Sequence, residues 1–231
     1  MPKKSQIEAM FDAIAPDYDR LNHIMSFGID RLWRRRAVRT IANSPNPLRI
    51  LDVASGTGDF AIAIAEKVHP ESEIIGIDLS EKMLEVGRTK VPDNVRLQQG
   101  DVEALPYPDN TFDRVSVAFG IRNFEHLEQG LSEMHRILRP GGRMVILELS
   151  YPDNPFLLWC YKLYTLHILP FIGGLISGDR KAYTYLPHSI LAFPKADTIV
   201  PMLQNIGFGQ VNVRRFTFGT CVMYVGEKMA R

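Results

Sequence analysis

From residue 48 onward, short apolar runs alternate with longer stretches in which apolar residues recur every three or four positions. A run of five or six apolar residues suits a strand buried on both faces, and the wider spacing suits a helix with one buried stripe. This reading gives strands at 48–53, 73–78, 95–99, 112–119 and 143–149, with helices at 59–68, 80–89 and 127–138. Ser80 is placed to cap the second helix, and Pro140-Gly141-Gly142 to stop the third. Such alternation predicts an α/β fold around a mostly parallel sheet. After an apolar insert at 156–194, a helix at 196–206 leads into a closing β-hairpin, 210–215 and 220–227, joined through Phe218-Gly219 and contributing one antiparallel C-terminal strand. Residues 1–47 read as a separate helical region ended by Pro45-Asn46-Pro47, and 48–231 as the main domain.

Composition narrows the function classes. The chain has 231 residues, 45% apolar and 23% charged, which suits one globular domain with a sizeable core. Its net charge of +1 leaves no overall basic field, so nucleic acid is not an expected partner. Charge is unevenly spread, with an acidic middle third between basic ends. Cys160 and Cys221 lie at no metal or redox spacing, and the six histidines form no ligand cluster, so no metal is expected. Isolated cysteines fit a reducing cytoplasm, and Met1-Pro2-Lys3-Lys4-Ser5 leads into no apolar secretory core. The densest apolar stretch, 156–176, is broken by Lys162, His167, Pro170 and Gly173-Gly174, which suits an interfacial or pocket-lining segment better than a spanning helix.

The first strand runs into a glycine loop. Gly56, Gly58 and Ala61 fit the dinucleotide pattern, and Asp78 ends the next strand 20 residues after Gly58. A pyrophosphate would bring negative charge to a turn flanked by Asp52 and Asp59, whereas the ammonium and sulfonium of S-adenosylmethionine would be welcome there. Asp78 would then accept from ribose hydroxyls and Asp101, after the third strand, from the adenine amino group.

Leu51-Asp52-Val53-Ala54-Ser55-Gly56-Thr57-Gly58-Asp59 resembles the cofactor loop of class I S-adenosylmethionine-dependent methyltransferases. Phe11 to Asp19, Leu21-Asn22, Ser26-Phe27-Gly28, Trp33-Arg34, Phe119-Gly120-Ile121-Arg122-Asn123, Arg139-Pro140-Gly141-Gly142 and Tyr185-Leu186-Pro187 with Ser189-Ile190 further resemble the ubiquinone/menaquinone-biosynthesis C-methyltransferase family, over nearly the whole chain. The resemblance implies a Rossmann-like class I methyltransferase sheet with an N-terminal helical lid and a helical insert. It places cofactor contacts at Thr57, Asp78, Asp101 and Val102, beside the loop residues Asp52, Gly56 and Gly58. It implies C-methylation of a polyprenylated quinol, demethylmenaquinol first and a 2-methoxy-6-polyprenyl-1,4-benzoquinol as the other acceptor. Some members carry Ser where this chain has Ala118, so a hydrogen bond made by that side chain is not carried over.

A quinol ring carbon attacks a sulfonium methyl best when a neighbouring hydroxyl is ionised. Such a hydroxyl titrates near ~10, so ionising it at pH 7 costs about 4 kcal/mol, which the site must supply. Arg122, just past the fourth strand, is assigned to the developing phenolate, Asn123 to orienting the ring or a water, and Tyr18, with Asp19 and Asn22, to a lid. The alternative for Arg122 is a surface ion pair with Glu125 or Glu128; His126 reads as a cap rather than a base. Phe156-Leu157-Leu158-Trp159, Tyr161, Leu163, Tyr164, Leu166 and Ile168 offer an apolar surface for a polyprenyl tail, and Arg31, Arg34, Arg35 and Arg36 offer charge for anionic head groups at the inner membrane face. Methylation of another lipophilic or phenolic molecule, a nicotinamide-dependent reaction and a non-catalytic place in a quinone-synthesis complex stay open. A homodimer is a further partner the sequence leaves open.

Overall fold

The computed structural model describes residues 3–18, 26, 28–168 and 180–229, with backbone alone for 17, 168 and 180–184. Seven strands form one sheet: β1 (Arg49–Val53), β2 (Glu73–Asp78), β3 (Val95–Gln99), β4 (Phe112–Ala118), β5 (Leu138–Leu149), β6 (Asn212–Phe216) and β7 (Cys221–Glu227), in the order β3-β2-β1-β4-β5-β7-β6. All pairings are parallel except those of β7, which runs against both β5 and β6. The α/β architecture with one antiparallel C-terminal strand is therefore the one the alternation predicts.

Successive side chains on a strand face opposite ways, and the β1 residues divide accordingly. Leu51 and Val53 join a core beneath α5 (Leu127–Ile137) and α8 (Ala196–Ile206). Ile50 joins a second core under α2 (Ile29–Ile41), α3 (Asp59–Ala65) and α4 (Glu81–Arg88). Helix α2 buries Trp33, Ala37, Val38 and Ile41 on one stripe. Ser80 caps α4 as expected, its Oγ accepting from the Met83 amide at 3.2 Å. The insert supplies α6 (Pro155–Leu163), capped by Asn154 and continued by a π turn at Tyr164–Ile168, and α7 (Arg180–Ala192).

Most boundaries fall within two residues of the sequence reading, and two differ by more. Helix α3 stops at Ala65. Strand β5 starts at Leu138, because its ladder with β4 jumps from Phe112–Leu138 to Arg114–Arg143; Pro140-Gly141-Gly142 falls in that bulge, with Gly141 at φ +74°. No described helix is long and apolar enough to cross a membrane. Strand order reverses between β1 and β4, and the loops after these strands meet α1 (Lys4–Ile14) at the sheet's carboxyl edge, where open α/β sheets bind ligands.

Candidate active site

A cleft of about 70 Å³ opens at the ends of β1, β2 and β3 beneath α1. Gly56 has φ +55°, and its amide donates to Asp78 Oδ2 at 2.8 Å. Gly58, at φ +81°, faces away from the cleft: a Cβ there would come within 3.1 Å of Val91 and 3.3 Å of Leu97. Its glycine therefore serves the turn and its packing. Asp78 Oδ1 takes the Ser80 amide at 2.9 Å; burial pushes this carboxyl up, and the amides of Ser80, Gly56 and Leu79 pull it back. Asp101 caps a short 3₁₀ turn through the Glu103 amide, and its other oxygen takes the Lys4 ammonium at 2.6 Å. Val102 follows on the wall with Ile77, Leu79 and Met83, and Ile7 and Phe11 of α1 form the roof.

Several contacts hold that roof. The Lys4 ammonium also lies 2.8 Å from Glu103, the Lys4 amide donates to Glu125 Oε2 at 3.0 Å, and Ser80 Oγ donates to Asp12 at 2.5 Å. Burial alone would raise the Glu103 carboxyl, but the His126 amide, Lys4 and the His126 ring hold it below its usual range. His126 is committed to this cluster and lines neither pocket.

Under the glycine loop lies a small chamber lined by Asp52, Ser55, Thr57, Asp59, Ala118, Arg34 and Tyr18. The register sets Asp52 of β1 opposite Ser116 of β4, whose Oγ donates to Asp52 Oδ1 at 2.7 Å. Asp52 Oδ2 is buried without a partner. Burial pushes this carboxyl up to about 7, against the opposing pull of Ser116 and Arg34. Asp59 is paired with Lys90 at 2.5 Å.

A larger pocket, about 240 Å³, lies on the other side of Tyr18 and Phe119, which line both spaces. Its walls are mostly apolar: Trp33 and Ile29 from α2, Leu149 after β5, Tyr161 and Tyr164 from the insert, and Leu186 and Ile190 from α7. Arg122 and Asp30 are buried charges in this wall, and Arg34 reaches it as well. One Nη atom of Arg122 donates to Glu148 Oε1 at 2.8 Å and to the Phe119 carbonyl, its amide reaches Glu148 Oε2 at 3.1 Å, and its Nε has no partner. Burial opposes the Arg122 charge, but Glu148 outweighs it and holds the guanidinium above its ordinary range. Tyr161 is pushed up by burial despite Arg122, so its hydroxyl stays protonated. Asn123 opens instead on the cleft, with its Oδ1 held by the Tyr185 hydroxyl at 2.8 Å.

The structure thus gathers Asp78, Asp101, Val102, Gly56 and Asn123 around the cleft, Asp52 and Thr57 in the chamber below, and Arg122 in the apolar pocket, with Tyr18 at the junction. Asp19 and Asn22 lie outside the described residues. The alternative reading of Arg122, a surface ion pair with Glu125 or Glu128, is not what forms: Arg122 is buried and its partner is Glu148, brought alongside by β4–β5 pairing, which no local spacing reveals. Lys4 was equally invisible. Arg34 does not join Arg31, Arg35 and Arg36 at the surface but turns inward over the Phe119 ring, which spacing does signal: Arg34 lies four residues after buried Asp30 and three before buried Ala37.

A cleft with acidic edges and apolar walls above a chamber lined by Asp52 suits a cationic adenosyl compound and opposes a diphosphate. Comparison with known proteins agrees. A sequence model described as the ubiE/COQ5 methyltransferase family matches residues 1–228. The chain is 46% identical over 231 residues to a demethylmenaquinone methyltransferase of Bacteroides fragilis, covering 98% of this chain and 94% of the relative. It is 47% identical to a Geobacter sulfurreducens protein named ubiquinone/menaquinone biosynthesis C-methyltransferase UbiE, with 98% and 90% covered. Among solved structures, an S-adenosylmethionine-dependent methyltransferase of Thermotoga maritima, described as a possible histamine N-methyltransferase, shares the fold at a TM-score of 0.68 and 21% identity, covering 96% of this chain and 99% of that one.

Proposed function

Because this chain belongs to the ubiE/COQ5 methyltransferase family, we propose that it C-methylates the ring of a polyprenylated quinol with S-adenosylmethionine, converting demethylmenaquinol to menaquinol. The observation that carries this reading is the meeting of two unlike spaces at Tyr18 and Phe119: an acidic cleft suited to an adenosyl cation, and a mostly apolar pocket into whose wall the buried Arg122 is set. Asp78 holds the ribose and Asp101 the adenine, with Val102 and Gly56 against the nucleoside and Thr57 and Asp52 toward its amino-acid end. When bound, S-adenosylmethionine supplies an electrophilic methyl on sulfur. Arg122 sets its guanidinium beside the ring oxygen that must carry negative charge, and Glu148 fixes the guanidinium's orientation. In so dry a pocket that interaction counters much of the roughly 4 kcal/mol that ionising the hydroxyl costs. Asn123, held by Tyr185, and Tyr18 orient the ring at the junction, and α1 with the helices of residues 1–47 acts as a lid that excludes water.

The tail leaves through the rim of the apolar pocket, which we place against the lipid bilayer. Phe156 and Trp159 of α6, the helix that gives the pocket Tyr161, and Phe218, next to the pocket's Thr217, are 69%, 61% and 79% exposed, and Arg31, Arg35 and Arg36 are exposed on α2. Exposed aromatics beside arginines support contact with anionic lipid.

Transfer of a radiolabelled methyl group tests the substrate. Reduced demethylmenaquinone should be labelled and a sterol acceptor left unlabelled; label on the sterol alone would overturn the reading.

A further inference from the structure

Two hydrogen-bond donors of the apolar pocket are neither engaged by the protein nor sealed away from the space they line. The Tyr161 hydroxyl, on α6, makes no hydrogen bond to any described residue, and it is not among the side-chain atoms cut off from solvent, so it keeps open surface. A tyrosine hydroxyl set among apolar side chains normally finds a partner in the protein. Tyr185, which also lies in the field of Arg122, does so through Asn123 Oδ1 at 2.8 Å. The second open donor belongs to Arg122. One Nη is committed to Glu148 and the Phe119 carbonyl and Nε is sealed in, but the other Nη has neither a described partner nor a complete cover. Tyr161 and Arg122 line the same pocket, and the guanidinium's charge acts directly on the phenol.

We infer that Tyr161 is a further catalytic residue of the methyl transfer, its hydroxyl donating, together with the open Nη of Arg122, to the quinol ring oxygen that carries negative charge. This deepens, and rests on, the reading of the apolar pocket as the acceptor site. Two donors aimed at one oxygen make an oxyanion site, and in a mostly apolar surround neither competes with bulk water. Their contributions differ. Arg122 supplies charge, and Tyr161 a neutral hydrogen bond whose proton stays where it is, because burial holds this phenol above its ordinary range. Tyr161 is therefore no base: the proton released by the substrate hydroxyl goes to water, and the rate follows pH for that reason. A hydroxyl left unpartnered in an apolar wall costs the folded protein stability, and a role at the substrate accounts for its presence.

The test is the anaerobic single-turnover rate of methyl transfer to reduced demethylmenaquinone, followed from about pH 6 to about pH 10, for the full chain and for Tyr161→Phe, which loses one oxygen and keeps the ring. At pH 7 the saturated rate of the variant should fall about tenfold, with the half-saturating quinol concentration within about threefold of the wild type. The pH at which the rate levels off should rise by about one unit, so that the variant approaches the wild type in alkali. Because the hydroxyl has no protein partner, the variant's melting midpoint should not fall, and its S-adenosylhomocysteine affinity should stay within about twofold. Wild-type rate and profile in the variant overturn the inference. So does a loss that is equal at every pH or confined to the half-saturating concentration, which packing of the ring alone would give. A lowered midpoint with a parallel loss of rate overturns it as well, by making the hydroxyl structural. A wild-type protein that never methylates reduced demethylmenaquinone removes instead the acceptor reading beneath it.

Discussion

Arg122 lies where a guanidinium is costly unless something needs it: buried in the wall of a mostly apolar pocket, oriented by Glu148, with its Nε left without a partner. Replacing it with Lys keeps the charge but gives up the planar guanidinium that one Nη ties to both Glu148 and the Phe119 carbonyl. Turnover of Arg122→Lys should fall about 100-fold or more while S-adenosylhomocysteine affinity stays within about twofold, as rapid-quench kinetics beside calorimetry would show. Asp52 carries the pH dependence. Its folded value of about 7 lies above the ordinary 3.8, so between those values the folded protein binds more protons than the unfolded chain. Its contribution therefore lowers stability as pH rises from about 4 to about 7, while affinity for an ammonium partner rises as pH passes about 7 and the carboxylate forms. Asp52→Asn should abolish both trends, checked by denaturant unfolding and ligand titration at pH 5.5 and 8. Of these residues, Asp52, Asp78 and Asp101 are legible because a strand followed by a loop places each in the same way. Glu148 and Lys4 are not, since strand pairing and a lid bring them in from 26 and 97 residues away.

At the scale of elements, α1 is attached to the cleft rather than to the core. Only Ile7 of this helix is buried, while Lys4 and Asp12 grip Glu103, Asp101 and Ser80. Removing residues 1–14 should leave the melting midpoint within about 4 °C and speed S-adenosylhomocysteine release about tenfold, measured by stopped-flow displacement. The sequence shows a helical region here but not what it covers, because covering is a tertiary property. Proline and two glycines after α5 likewise read as a stop, and the stop is real, yet the chain enters β5 at once and spends those residues in a bulge. The β1–α3 unit was legible for the opposite reason: its apolar run, left-handed glycines and following amphipathic stretch all demand the same turn.

For the whole molecule, the uneven charge of the chain becomes spatial order. The acidic middle builds the cofactor edge, and a basic helix joins the apolar insert at the rim of the second pocket. Phe156 and Trp159 stack on one another with their rings largely in solvent, an arrangement that burial in lipid would repay. Sedimentation with phosphatidylglycerol-containing vesicles should retain the protein, and Phe156→Ser with Trp159→Ser should release most of it without changing S-adenosylhomocysteine affinity; equal retention would place the rim elsewhere. The α/β class followed from alternation, but not the order of the strands, and the division into two pockets depends on Tyr18 and Phe119, about 100 residues apart in the chain, lining the same two spaces, which no periodicity announces. The most direct measurement of the central claim is carbon-13 NMR of product formed from reduced demethylmenaquinone and S-adenosylmethionine labelled at its methyl carbon. A labelled methyl bonded to a ring carbon is the predicted result. A labelled methoxy carbon, or stoichiometric recovery of unreacted donor, would contradict it.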